Sequence, residues 1–140
     1  NQIHVFNGTS NTYVQAISGT AATAQFNAIA AAPDGSLVYR TSMPESAVKV
    51  IDPFSDSVVA SVAVMGDPRA LVLSRDNQFL YVSNLSGAVR KLRTSDLSTV
   101  WSTTVGSGTY GMGISSDGSW LYVPDSGSNQ IHKVNSQTLF

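Results

Sequence analysis

The sequence predicts an all-β protein of the β-propeller class. Three observations carry that expectation. The 140 residues repeat themselves at intervals of about 40 residues, each period holds four short strand-like runs, and Ser plus Thr make up 32 residues while Glu occurs once and Lys three times. A recurring unit of four strands over about 40 to 45 residues is the pattern of a propeller blade. The side-chain bias favours strands and turns over long helices.

The repeat is anchored by three Asp turns. Asp34-Gly-Ser-Leu-Val-Tyr39, Asp76-Asn-Gln-Phe-Leu-Tyr81 and Asp117-Gly-Ser-Trp-Leu-Tyr122 are equivalent. The register extends upstream through Ala28 to Ala32, Ala70 to Ser74 and Gly111 to Ser115. Downstream it runs through Val48 to Asp52, Val89 to Arg93 and Ile131 to Asn135, with Ile3 to Asn7 in the same place. Asn1 to His4 recurs as Asn129 to His132. In the middle period the strands are expected at Arg69 to Ser74, Phe79 to Asn84, Ala88 to Arg93 and Thr99 to Val105, separated by Asp-Asn, Ser-Gly and Ser-Asp turns. The first strand of each period carries small residues such as Ala30, Ala70 and Gly113, suited to a crowded axis. The second carries large ones, Tyr39, Phe79, Tyr81, Trp120 and Tyr122, suited to the spaces where adjacent sheets diverge.

Leu80-Tyr-Val-Ser-Asn84 and Leu121-Tyr-Val-Pro-Asp125 each follow an Asp turn and precede a valine-bearing strand, with Asp52 at the matching place of the first period. In these residues the chain resembles the YVTN-type repeats of the lactonase-like propellers, over essentially its whole length. The first period departs from that pattern: Arg40 and Thr41 replace Val and Ser or Pro, and Ser42 to Ser46 delay the next strand. The resemblance implies a propeller. The function expected first is that of a non-catalytic binding or assembly module; the resemblance also implies, as the alternative, a fragment of a lactonase-like or quinone-dependent dehydrogenase-like enzyme with its site on the propeller axis.

The whole of 1–140 reads as one partial propeller domain, with repeats at about 1–46, 47–87 and 88–128 and the start of a fourth at 129–140. In strand order the chain supplies the third and fourth strands of one blade, complete blades from about Phe26 to Val64 and Arg69 to Val105, and three strands of another. That is about three and a third blades, short of the four or more that close a ring. The expected partners are therefore further blades of a longer chain or copies of this one, covering apolar blade faces and pairing free strand edges. Asn1 in place of Met points to a processed or excised chain.

Composition narrows the function. A net charge of −1 without a run of like charges argues against a nucleic-acid partner, and no apolar stretch approaches the roughly 18 residues of a membrane span. Absence of Cys removes disulfides, thiolate metal sites and Cys nucleophiles. Catalytic residues, metal ligands and cofactors are all expected to be absent, and an extracellular or periplasmic location fits the Ser/Thr-rich, weakly charged chain. His4 and His132 share one repeat position and are expected on a solvated sheet face. Asp34, Asp76 and Asp117 read as turn carboxylates bonding nearby N–H groups, and Ser115, Ser116 and Asp117 form no nucleophile motif.

Sites are sought where the repeat breaks, because a structural role should recur from blade to blade and a binding role need not. Asn27, Arg69 and Tyr110, just before the innermost strands, form one candidate ligand-binding set around a channel mouth, for a small molecule or a protein. Ser42, Asn84 and Asp125, at the exits of the second strands, form a candidate set expected at the opposite mouth. Asn7-Gly-Thr9 and Asn84-Leu-Ser86 match the N-glycosylation pattern.

Overall fold

The computed structural model describes residues 2–17, 28–64 and 66–138. Among them are thirteen strands, all paired antiparallel, and no helix. Strands β1 (Ile3–Phe6) and β2 (Tyr13–Ile17) form sheet A. Sheet B holds β3 (Ile29–Ala31), β4 (Val38–Ser42), β5 (Ala47–Asp52) and β6 (Ser57–Ala63). Sheet C holds β7 (Pro68–Leu73), β8 (Phe79–Asn84), β9 (Ala88–Arg93) and β10 (Thr99–Thr104). Sheet D holds β11 (Gly113–Ile114), β12 (Trp120–Asp125) and β13 (Gln130–Asn135). The strands lie in each sheet in chain order, joined by tight hairpins. In sheet C the expected strands are met to within one residue at each end.

The turns follow from the sequence. Asp34, Asp76 and Asp117 each accept a hydrogen bond from the backbone N–H two residues on, at 3.0, 3.1 and 3.0 Å. The residue after the acid then takes a positive φ: Gly35 at 73°, Asn77 at 58° and Gly118 at 76°. These are conformations that Gly and Asn tolerate at least cost. Ser74 and Ser115 reinforce the later two turns by bonding both the Asp carboxylate and the N–H that opens β8 or β12.

Sheets B, C and D stack face to face, with β3 against β7 and β7 against β11 where the small residues fall. Because side chains alternate across a strand, β8 serves two cores. Leu80 and Val82 join Tyr39, Val48, Val50, Leu71 and Leu92 between sheets B and C. Tyr81 joins Val89, Leu121, Val123 and Val134 between C and D. A strand buried on both faces cannot show simple apolar–polar alternation, and Phe79–Asn84 reads almost continuously buried. Burying one such Leu or Val stabilises by roughly 1.5–3 kcal/mol. Tyr39 and Tyr81 are each 1% exposed, whereas Tyr122, at the same repeat position on the face of sheet D turned away from C, is 40% exposed.

Candidate functional site

Antiparallel pairing corrects one expectation about the two residue sets. The start of β7 lies beside the end of β8, with Pro68 paired to Asn84 and Ala70 to Ser83. Arg69 and Asn84 are therefore at the same end of sheet C, and the two sets share one side of the stack. The Asp turns occupy the other end. Asn27 lies outside the described residues.

Arg69 is the second residue of β7, at an irregularity where the register shifts between Pro68 and Ala70. Such bulges re-aim a side chain. Its guanidinium stands 5.3 Å from the centroid of the Tyr110 ring and 3.5 Å from Asp67 Oδ2. Its Nε is buried without a hydrogen-bond partner. Tyr110 is 61% exposed. With Ala28, Ala70, Leu71, Gly111 and Met112 the pair lines an open depression of about 440 Å³ at the inner strands. Small side chains leave the floor open, while a cation and an aromatic ring form its wall, an arrangement able to stack a planar group and hold an anion.

The second set is buried. Ser42, Asn84 and Asp125 are 1%, 7% and 4% exposed, so they do not ring a solvent-facing mouth. Asn84 Oδ1 accepts from Ala88 N and Ser86 Oγ, each at 2.9 Å, closing the turn into β9. Its amide nitrogen lies against Gly66, where an added Cβ would come within 2.7 Å of it. The Asn84 side chain of the second acceptor pattern is thus packed within its own turn and 7% exposed. Asn7 is exposed, and its Oδ1 accepts from Thr9 N and Ser10 N.

Asp125 straps sheet C to sheet D. Its Oδ1 accepts from Ser107 N at 3.1 Å and Gly127 N at 2.9 Å, and its Oδ2 from Ser128 Oγ at 2.7 Å. His132 Nε2 lies 3.3 Å from the same Oδ2. The Ser128 hydroxyl first, then the Ser107 N–H, His132 and the Gly127 N–H, hold the carboxyl down at about 2 against the opposing effect of burial. His132 thus has a carboxylate partner, contrary to the expectation of a purely solvated position, whereas His4 is exposed on β1. The pairing was not legible as a motif, because seven residues and a hairpin separate the two side chains. A comparable constellation of three or more metal-binding side chains does not occur among the described residues.

No protein-family model matches the chain, and no curated protein matches it. Among solved structures, a chain of "Kuenenia stuttgartiensis Hydrazine Synthase" is similar, with 29% identity and a TM-score of 0.75 over 80% of this chain and 33% of that one. The present chain thus spans about a third of that chain's length. The stacked antiparallel sheets and this likeness together define an all-β protein with β-propeller-like architecture. Matches extend to 806 chains, and an architecture so widely shared does not name an activity.

Proposed function

We propose that the chain is a non-catalytic propeller module of YVTN type that works by binding and assembly, its outermost sheet face receiving a further blade from the same or another chain. The observation that carries this reading is the contrast within one repeat position. Tyr39 and Tyr81 are each covered by the next sheet, while Tyr122 is 40% exposed beside Ile131 at 70%. Trp120 and Lys133 share that face, the ammonium 4.0 Å from the ring centroid. The corresponding face of sheet C, with Phe79, Tyr81, Val89 and Lys91, is the one that packs on sheet D. A face of this composition has the pattern of a blade interface. Strand β13, with no strand paired on its outer side among the described residues, offers backbone groups to a fourth strand.

On this reading the Arg69 and Tyr110 depression is the ligand-facing part of the module, and an anionic group carrying a planar surface suits it. A second reading, part of a propeller enzyme, draws on the resemblance to lactonase-like repeats and on the likeness to hydrazine synthase. The two separate in one pair of measurements. Light scattering over a range of concentrations should give a mass above 14.8 kDa for the module, and incubation with sugar lactones or a quinone cofactor should give neither turnover nor tight binding. A concentration-independent monomer refutes assembly by this chain alone, and turnover favours the enzyme.

A further inference from the structure

The second strand of sheet B breaks the repeat where the fold tolerates it least. One face of the sheet, through Tyr39, Val48 and Val50, packs on sheet C. Arg40 and Ser42 lie on the other, set beside Lys49 and Ala47 by the β4–β5 register. The residues equivalent to Arg40 are Val82 and Val123, at 3% and 0% exposure. Those equivalent to Ser42 are Asn84 and Asp125, which bond to their own turns.

Arg40 is 6% exposed and Ser42 1%. Arg40 Nε, Arg40 Nη2 and Ser42 Oγ are all buried and without a hydrogen-bond partner. Nε and Nη2 form one edge of the guanidinium, two parallel donors whose spacing suits a carboxylate or a single ion in the fork. Burial pushes the Arg40 pKa down against the attraction of Glu45, yet a guanidinium stays charged near neutral pH. Lys49 is paired with Glu45, so the face carries two cations and one carboxylate. A buried cation stripped of water and without hydrogen-bond partners is strongly unfavourable, so the open edge of the Arg40 guanidinium is suited to hold an anion.

We propose that the face formed by Arg40, Ser42 and Lys49 binds a small monovalent anion of chloride or formate size, with the Arg40 Nε and Nη2 edge and Ser42 Oγ as donors. The site is independent of both the assembly face and the Arg69 depression. Thermal unfolding of the whole chain at neutral pH, in sodium chloride against sodium gluconate at matched ionic strength, tests it. Chloride should raise the Tm by a few degrees and saturate, as expected of a ligand that binds only the folded state. Arg40→Val, which installs the residue of the other two repeats, should abolish the chloride response. In crystals of the unaltered protein soaked in bromide, an anomalous peak should lie on the Nε and Nη2 edge. Absence of a chloride-specific shift, its persistence in Arg40→Val, or a bromide map empty at Arg40 overturns the proposal. The two measurements on the unaltered protein decide it should the variant fail to fold.

Discussion

The carboxylate of Asp125 and the missing side chain of Gly106 share one space. A Cβ on Gly106 would lie 2.2 Å from Asp125 Oδ2, and one on Gly87, which has φ of 85°, would lie 1.8 Å from the Gly106 carbonyl oxygen. Gly87→Ala must displace backbone and adopt an unfavourable φ, and should cost about 2 kcal/mol or more in chemical denaturation. At the end of the stack bearing the Asp turns, the Tyr81 hydroxyl and Lys91 Nζ both donate to the Ser136 carbonyl, at 3.0 and 3.1 Å. Tyr81→Phe removes one of these donors and should cost about 1 kcal/mol. Acid reads the carboxylates together. Asp34, Asp52, Asp76, Asp96, Asp117 and Asp125 all titrate below the ordinary 3.8, the last two at about 2. Hydrogen bonds are the leading cause in each. Unfolding therefore takes up protons in acid: their support is full above pH 4 and drains as the pH falls towards 2. Tm should hold from neutral pH down to about 4 and then drop. Asp125→Asn should flatten part of that drop, a result read directly from a pH series of melting curves. The turn roles of Asp34, Asp76 and Asp117 were legible because a short acceptor before Gly or Asn has a local purpose. The bond between Asp125 and His132, and the empty donors of Arg40, depend on neighbours that no local pattern names.

Among the strands, β8 and β12 have nearly the same sequence pattern and different surroundings. Leu80 and Leu121 are both fully buried, whereas Tyr81 is 1% and Tyr122 40% exposed. Leu80→Ala should cost about 3 kcal/mol, as in other well-packed cores. Tyr81→Ala should cost roughly 3–5 kcal/mol, and Tyr122→Ala below about 1 kcal/mol in any state where that face is uncovered. Equal costs for the two tyrosines in denaturant titrations would mean that another blade already sits on sheet D. Strand positions were readable here because the Asp turns recur at fixed spacing. Their ends held to a residue because hairpin turns stop each strand sharply. The opposite placement of the two candidate sets failed for a topological reason: the entrance of one strand and the exit of its antiparallel neighbour are the same end of the sheet. The register irregularity at Arg69 likewise has no sequence signature of its own.

For the whole molecule, stability should be distributed by neighbour contacts, as in other repeat architectures. Sheet C has a packed sheet on both sides, while sheet D is packed by C on one and presents Tyr122 and Ile131 on the other. Hydrogen exchange should therefore protect β8 and β9 most and β13 least, and addition of any partner that covers sheet D should slow exchange in β12 and β13 first. The sequence by itself determined the repeat, the turns, the strands and the stacking of small residues inward and large ones outward, since each of these depends on side-chain size or on contacts within a few residues. Only the tertiary structure decided which of several equivalent side chains is covered, which polar groups meet across a sheet boundary, and which are buried without a partner. Those outcomes depend on the sheet next door, and a repeating sequence writes nearly the same residues whether or not a neighbour is there.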